Sequence, residues 1–520
     1  MEETSPRRIE NNWTSGKMKT TEAEHVAIKP ERKQENKSDS YPEKNLPDTL
    51  KMWINFANAT SLHGIRYVFW KRPLWARIGW LLILLAFTAY FLYTAHSSLV
   101  KYCSWPINTV ITQKYTDKLD FPAVTICPLN LVSKKKMFAL EGDPSYVKHG
   151  LNDSMCSATA AVREGKPCGA AMMCCCLSFI FLDGAKIVPN CTQGYAERLI
   201  AAQQRSGIFF DTGHYYERYG QGIDEMLVPG LCIFDGNLKP CDASEFRTTF
   251  TDWGICHTFN ADPDNVRKSQ LHGVGGGLNI LLDAQVEDHT IGRLSEGFSV
   301  IIHRQGEYVT AWDGINVQPG MQASIALHQK RIINLETPYE TKCENRKLKT
   351  RRSYTTKGCL FECVAEAIIE KCKCRSAEYP AEKMMRTCGK VDQLCALNAT
   401  LNKHPTSCNC PVPCDETRYT TEVYYSSFPD AGSAKVIQAT GAIRSFDYMR
   451  KNFVFLQIGY KTLSYELQEQ TVEFGIEALF GEIGGNMGLF LGCSLMTVFE
   501  FADLLVALIY VRKLGKEYQT

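Results

Sequence analysis

Polar side chains interrupt an apolar segment near the C-terminal end of the chain. From Gly481 the sequence reads GEIGGNMGLFLGCSLMTVFEFADLLVALIYV. Ionisable groups at membrane depth are costly unless they face water or partners, so they usually mark an ion or substrate path. Spacings of three or four residues predict one helical stripe that lines a pore formed by several copies of the chain. The stripe contains Glu482, Asn486, Cys493, Thr497 and Glu500, and Asp503 follows it.

Glycines in the same segment leave a second interpretation open. Gly484, Gly485, Gly488 and Gly492 suit close helix packing, with the acids near the headgroups. The run Gly492-Cys493-Ser494 favours a helix that is broken or extended at mid-membrane and turns backbone carbonyls toward an axis. Rings of carbonyl oxygens can replace the hydration shell of a cation.

Two apolar segments, 74–95 and 478–511, are each long enough to cross a bilayer as a helix. The first begins too far along the chain, and is too long, for a signal peptide. Basic residues precede the first segment and follow the second, so the positive-inside rule predicts that both termini are cytosolic. They are Lys71, Arg72, Arg77, Arg512, Lys513 and Lys516. Residues 96–477 are then extracellular.

The cysteines support this topology. All but one of the 22 lie between Cys103 and Cys414, which is typical of an oxidised extracellular domain. Ten lie between residues 343 and 414 and could alternatively hold zinc, although neighbouring extracellular thiols usually oxidise. The pairing of a second group of cysteines stays open, and Cys103 is then left over. The group consists of Cys156, Cys168, Cys174, Cys175, Cys176 and Cys191. Glycosylation sequons occur at Asn152, Asn190 and Asn398.

The remaining composition indicates the domain order. Residues 1–50 have too few apolar side chains to fold and are interpreted as a disordered cytosolic tail. Residues 51–73 form an amphipathic cytosolic segment against the inner membrane face, and 512–520 a second cytosolic tail. Alternating strand and helix patterns predict an α+β extracellular domain. The glycines at 273–277 lack the Lys of a phosphate loop, and no catalytic motif is found, so an enzyme, a cofactor, a metal site and a nucleic-acid partner are not expected.

Several motifs together resemble the degenerin, epithelial sodium channel and acid-sensing ion channel superfamily. The resemblance runs from His63 to Asp503. It is carried by His63-Gly64, FPAVTIC at 121–127, GICHTFN at 254–260, YSSFP at 425–429, the ten-cysteine segment and GEIGGNMGLFLGCS at 481–494. It implies a ligand-gated, invertebrate peptide-gated or acid-sensing subunit with two transmembrane helices and a hand-shaped domain of palm, finger (about 129–245), knuckle and thumb (about 338–415). The trimer would contain this chain alone or with paralogous subunits.

The resemblance also implies roles for single residues. Gly492, Cys493 and Ser494 would form the selectivity filter, with Cys493 where acid-sensing members usually have Ala. Gly481 would be the position where bulk holds such channels open, and Glu482 would lie near the outer pore mouth. Below the filter, Thr497, Glu500 and Asp503 would attract cations, and His63-Gly64 would re-enter the inner pore. Trp105, at the top of the first helix, would contact Tyr339 of the thumb, although an interfacial aromatic belt also explains Trp105.

A disulfide pattern follows from the resemblance as well, because spacing alone does not fix connectivity. The implied nested pairs of the thumb are Cys343–Cys414, Cys359–Cys410, Cys363–Cys408, Cys372–Cys395 and Cys374–Cys388. Outside the thumb, the implied pairs are Cys127–Cys256 and Cys232–Cys241.

The functional expectation is an amiloride-sensitive, voltage-insensitive channel of the plasma membrane that conducts sodium. Members of the superfamily respond to protons, RFamide peptides, bile acids or force. We favour an extracellular neuropeptide, because Trp105-Pro106 stands where acid-sensing members have a histidine pair; protons are the alternative. A disulfide-rich receptor or adhesion protein with two spans would not explain the acidic stripe.

Overall fold

The computed structural model describes residues 48–69, 72–138, 201, 204–205, 212–236, 240–251, 254–289, 295–379, 385–389, 392–439, 441 and 444–517. Several predictions lie outside these residues: the tail up to residue 47, most of the finger, Asn152, Asn190, and the cysteines Cys156, Cys168, Cys174, Cys175, Cys176 and Cys191. The chain divides into a helical unit, residues 1–91 and 484–520, and a disulfide-rich unit, residues 92–483.

The helices are numbered in chain order. They are α1 (Asp48–Ala59), α2 (Ile65–Phe69), α3 (Leu74–Cys103), α4 (Lys134–Phe138), α5 (Thr212–Tyr219), α6 (Ile223–Met226), α7 (Thr356–Cys372), α8 (Gln393–Asn402), α9 (Ala431–Ala439), α10 (Phe446–Asn452), α11 (Ile476–Leu491) and α12 (Leu495–Glu517). The expected amphipathic segment at 51–73 is therefore two helices with a turn between them, and α1 already begins inside the predicted tail.

The strands are β1 (Ile107–Tyr115), β2 (Leu119–Asp120), β3 (Ala123–Pro128), β4 (Leu227–Phe234), β5 (Phe246–Thr251), β6 (Gly254–Phe259), β7 (Lys268–Ser269), β8 (Leu278–Asp283), β9 (Phe298–His303), β10 (Ile315–Val317), β11 (Met321–Ile333), β12 (Asp415–Ser427) and β13 (Phe453–Val472). They build one sheet in the order β12-β11-β13-β8-β4 and a second in the order β10-β9-β3-β6-β5, while β2 pairs with β7.

Helix α3 is the one described helix that is long and apolar enough to cross a membrane by itself. It ends at Cys103, beyond residue 95, where the predicted transmembrane helix ends. The apolar run stops near there, but nothing in His96–Lys101 breaks a helix. The chain turns only at Trp105, whose φ is +50°, and Pro106 then lacks the N–H that a further turn would need.

Strand β13 is the longest strand and organises the first sheet. From Phe453 to Ile458 one edge pairs with β8, and from Ser464 to Val472 it pairs with β1. Its other edge runs parallel to β11, with a register shift between Leu327 and Gln329. Both edges therefore change their pairing between residues 458 and 465.

The two sheets share one hydrophobic core. Strand β3, which carries the FPAVTIC motif, is buried along its whole length because both its faces meet apolar side chains. Phe121 packs edge-on against Tyr460 of β13, with ring centroids 6.3 Å apart. A disulfide joins Cys127 of β3 to Cys256 of β6, and another joins Cys232 to Cys241.

The thumb consists of α7, α8 and the loops around them. Thr355 caps α7, because its side chain accepts a hydrogen bond from the Gly358 N–H. The structure contains the five thumb pairs that the resemblance implied, so these thiols are not zinc ligands: Cys343–Cys414, Cys359–Cys410, Cys363–Cys408, Cys372–Cys395 and Cys374–Cys388. Asn398 is exposed on α8, where a glycan would find space.

The glycine cluster at 273–277 serves packing. Gly277 has φ of +72°, and a Cβ there would lie 2.1 Å from the Ile458 carbonyl oxygen of β13. The glycines let the loop approach the strand backbone closely. This packing role agrees with the absence of the lysine that a phosphate loop would have.

Candidate functional site

The apolar segment at the C-terminal end is a broken helix. Helix α11 ends at Leu491, α12 begins at Leu495, and the two axes bend by 72° across the break. Gly492 has φ of +62°, a conformation that residues with a Cβ rarely adopt. The predicted break is therefore present. The predicted stripe from Glu482 to Glu500 is counted in helical steps and crosses this break.

A short polar turn, residues 60–64 between α1 and α2, meets the break. The His63 N–H donates to the Leu491 carbonyl at 3.2 Å, and His63 Nδ1 lies 3.1 Å from the Gly492 carbonyl oxygen. A Cβ built on Gly492 would lie 1.6 Å from His63 Nδ1. Gly492 is thus required twice, by its backbone conformation and by the histidine.

The same turn binds α12 below the break. Thr60 Oγ1 donates to Glu500 Oε2 at 2.7 Å, and the Ser61 N–H donates to the same oxygen at 3.1 Å. Ser61 Oγ also contacts Thr497 Oγ1, and Thr497 is only 2% exposed. Thr497 accepts a further bond from the Ser494 N–H at 3.0 Å. Two predicted pore residues, Thr497 and Glu500, therefore have hydrogen-bond partners within their own chain.

The other predicted pore residues are more open in the single chain. Gly481, Glu482 and Asp503 are exposed, and nothing lies within 4 Å of a Cβ built on Gly481. Cys493 has a free thiol that is partly buried on the wall of an apolar cavity of about 520 Å³. Leu62 of the polar turn, helices α2 and α3, and the broken helix form this cavity.

The predicted contact between Trp105 and Tyr339 exists within the disulfide-rich unit. The two rings meet edge to face with centroids 5.7 Å apart. Tyr102 also packs against Trp105 at 5.2 Å, so the end of α3 presents a small aromatic cluster to the thumb. Edge-to-face pairs of this kind each contribute about 0.5–1.5 kcal/mol beyond burial.

A glutamine that the sequence did not suggest reinforces this junction. Gln470 Oε1, on β13, accepts a hydrogen bond from the Leu335 N–H at 3.0 Å and from Thr341 Oγ1 at 2.8 Å. Glu473, just after the end of β13, forms an ion pair with the Lys101 ammonium at 3.1 Å. The thumb loop, β13 and the end of α3 are thereby tied together.

Two titratable groups lie at the end of β9 and in the loop that follows it. Burial lowers the pKa of His303 to about 4, so it is neutral at physiological pH. Burial raises the pKa of Glu307 to about 7, although a backbone hydrogen bond from Arg304 opposes this. Glu307 is therefore a carboxyl group that changes charge near neutral pH.

Thr60, Ser61 and Gln470 were missed because each is a common polar residue without a motif of its own. Thr60 and Ser61 could have been found from one signal, since they precede His63-Gly64 in an otherwise apolar segment. For Gln470 no local signal exists, because its partners lie more than 120 residues away.

A disulfide-rich β domain that continues into an apolar helix, broken at glycine and carrying carboxylates, is the arrangement expected of a membrane ion channel subunit. The family model described as "Amiloride-sensitive sodium channel" matches residues 56–504, and the chain belongs to this family. The superfamily inferred from the sequence is thereby confirmed. The protein is a sodium channel subunit and not an enzyme.

Curated relatives agree. A bile acid-sensitive ion channel of Rattus norvegicus is 29% identical over 487 residues, covering 89% of each chain. Acid-sensing ion channel 1A of Danio rerio is 27% identical over 469 residues, covering 86% of this chain and 87% of that one. Acid-sensing ion channel 4 of Rattus norvegicus is 33% identical over 304 residues, or 55% of each chain. A solved proton-activated chloride channel has a TM-score of 0.31 at 7% identity, covering 82% of this chain and 97% of its own, too distant for any inference.

Proposed function

We propose that the chain is one subunit of a trimeric, sodium-selective channel of the plasma membrane, opened by an extracellular ligand. The observation that carries this proposal is the clamp between the polar turn and the helix break. Such a clamp holds irregular backbone at membrane depth, which proteins tolerate where the backbone is enclosed or lines an aqueous path. Membership of a sodium channel family supports sodium as the permeant ion.

The second span in this proposal is the bent pair α11 and α12, and the first is α3. The basic residues beside both spans support cytosolic termini. The disulfides support an extracellular location for the segment between the two spans, because such bonds persist in oxidising compartments.

Gly492, Cys493 and Ser494 are the proposed selectivity filter. Nδ1 of His63 fixes the Gly492 carbonyl from one side. Glu500 is held by Thr60 and Ser61 and would contribute negative charge to the inner path, whereas the exposed carboxylates of Glu482 and Asp503 would face water or neighbouring copies.

The proposed coupling between ligand and pore uses Trp105, Tyr339 and Gln470. The three residues connect the thumb to the end of α3 and to β13, which leads into α11. A thumb that moves on ligand binding would therefore displace both proposed spans through the same junction.

A neuropeptide is the favoured ligand. Trp105-Pro106 stands where acid-sensing members carry histidines, and the six additional cysteines of the predicted finger depart from the acid-sensing pattern.

Protons are the second candidate, and one observation favours them. The pKa of Glu307 is raised to about 7 by burial, so a modest acid step would neutralise it. Two of the relatives above are named for acid sensing and one for bile acid sensitivity.

The test is whole-cell current from cells that express only this chain. Sodium-rich saline would be applied with acid steps, then with RFamide peptides, and amiloride would be added at each peak. An amiloride-sensitive sodium current is expected under one of these stimuli.

A Gly481→Phe variant is the companion experiment. Because nothing lies within 4 Å of a Cβ built on Gly481, we expect bulk there to act on neighbouring copies rather than on its own chain. A standing current in this variant would support the trimeric pore even if the natural stimulus is missed. Silence of both proteins, with surface expression verified, would refute a homomeric channel.

A further inference from the structure

A cavity of about 730 Å³ lies within the disulfide-rich unit. Its walls come from β5, β6, the loop after β9, and the two segments that flank α7, residues 350–352 and 375–379. We call it the arginine cavity, because four of its lining residues are Arg247, Arg351, Arg352 and Arg375. No residue of this cavity belongs to the predicted site.

Two of these arginines are already engaged. Arg352 is exposed and forms an ion pair with Asp264. Arg375 donates to the Tyr379 carbonyl at 2.8 Å and to the Ser376 carbonyl at 3.4 Å, so it fixes the loop after α7. Both have a structural role that needs no ligand.

Arg247 and Arg351 differ from them. Within the described part of the chain, no carboxylate lies within ion-pairing distance of either guanidinium. Arg351 donates one hydrogen bond, to the Thr350 carbonyl at 3.1 Å, and lies 6.0 Å from the centroid of the Tyr308 ring. Burial lowers the pKa of Arg351, and the charge of Arg247 acts in the same direction. Two like charges therefore share one cavity.

The acidic groups of the cavity offset this pair in part. Glu378 raises the pKa of the more buried of the two arginines, and its carboxylate accepts a hydrogen bond from the Tyr308 hydroxyl at 2.9 Å. Glu307 is a partly buried carboxyl group that carries only part of a charge at neutral pH. Glu217 and Asp262 are exposed at the rim, where water screens them. In the described part of the chain, none of these carboxylates forms an ion pair with either arginine.

Apolar side chains form part of the remaining wall, which also contains four threonines. Phe250, Pro263, Val309 and Ala377 line the cavity beside the arginines. A ligand with negative charge at one end and apolar surface elsewhere would therefore pair with the arginines and contact these apolar side chains.

We propose that the arginine cavity binds an organic anion in which one carboxylate or sulfonate is joined to an apolar body, with the anionic group between Arg247 and Arg351. A guanidinium offers a planar fork of donors that matches such oxyanions. The bound anion would relieve the repulsion between the two arginines. It would also join the β5–β6 edge to both ends of the main thumb helix.

The test uses the purified full-length chain in nanodiscs of neutral lipid, with 4-phenylbutyrate as the probe and its uncharged amide, 4-phenylbutyramide, as the matched control. Isothermal titration should show binding of the carboxylate, with an affinity at least about tenfold above that of the amide, since a charge-assisted hydrogen bond contributes about that factor. Equal binding of the two compounds, or binding of neither, would overturn the proposal.

Variants locate the site. Arg351→Gln and Arg247→Gln should each weaken phenylbutyrate binding about tenfold. Arg352→Gln, which removes an arginine that is already paired, should change it by less than about twofold. Thermal unfolding identifies a variant that fails to fold, and the exposed Arg247 keeps the test valid if Arg351→Gln destabilises the chain. Undiminished binding in folded Arg247→Gln would refute the assignment. Because the assay measures binding and not current, its result is independent of the proposed channel function.

Discussion

The polar turn and the thumb are both fixed in place, but by bonds of different kinds. Five disulfides close the thumb, the widest between Cys343 and Cys414. The polar turn is held by hydrogen bonds from Thr60, Ser61 and His63 to the broken helix. Disulfides persist as long as their surroundings are oxidising, whereas hydrogen bonds can break and re-form during a single conformational change. We therefore expect the thumb to keep its internal structure when it moves, and the polar turn to be the attachment that breaks more easily.

The largest expected effect is at the helix break. Gly492→Ala should abolish current, because the new methyl group would overlap His63 and the backbone has a positive φ. The matched control is Gly488→Ala, where a Cβ meets its nearest neighbour at 3.8 Å. Surface labelling and whole-cell current would be measured together. A Gly492→Ala channel with normal current would show that the turn does not clamp the break.

The next effect concerns the thumb. Replacing Cys343 and Cys414 by Ser opens a loop with a sequence separation of 71, and replacing Cys374 and Cys388 opens one of 14. Chain entropy predicts a loss in the free energy of unfolding of about 4 kcal/mol for the first pair and about 3 kcal/mol for the second. Chemical denaturation of the solubilised chain would measure both. Equal current in wild type and variants would mean that a rigid thumb is unnecessary.

A smaller effect is expected within the polar turn. Thr60→Val removes a hydrogen bond to Glu500 and should shift the balance between closed and open states by about 1 kcal/mol, or roughly fivefold. Thr88→Val is the control, because in the described part of the chain the Thr88 hydroxyl donates to the Leu84 carbonyl of its own helix. Dose–response curves for the activating stimulus would report the shift. Identical curves for Thr60→Val and wild type would assign the clamp to His63 alone.

The smallest effect is a pH dependence near the thumb. The pKa of Glu307 is raised to about 7 from an ordinary value of 4.5, so the folded state binds its proton more tightly than the unfolded state. This contribution to stability is complete below about pH 4.5 and is lost as pH rises through 7. Arg304, Lys357, Glu416 and Tyr419 are the charged or titratable groups that act on it or feel its charge.

Glu307→Gln should therefore flatten the dependence of unfolding free energy on pH between 5 and 8, by at most about 1.4 kcal/mol per pH unit. Denaturation of both proteins at a series of pH values would test this. A wild-type profile that is already flat would contradict the raised pKa. If the acid-evoked current disappears in the same variant, protons become the favoured stimulus.

Much of the site could be predicted because its signals are local. Gly492 and the residues next to it indicated the break in the helix. The resemblance implied the cysteine pairs that the structure contains. Contacts between distant segments could not be predicted. The bond from Thr60 to Glu500 spans 440 positions, and no spacing rule connects the two residues. The end of α3 was missed because hydropathy marks where a membrane ends, whereas the helix ends where Trp105 and Pro106 turn the chain.

The length and the pairing of strand β13 have a mechanical consequence. Its 20 residues, at about 3.3 Å each, make a rod about 65 Å long that runs from the buried core to the start of α11. Around Tyr460 the partner on one edge changes from β8 to β1, while the ladder with β11 slips on the other edge. A strand bends most easily where its pairing with neighbouring strands is interrupted. We therefore expect β13 to bend most easily near its middle, between the segment that pairs with β8 and the segment that pairs with β1.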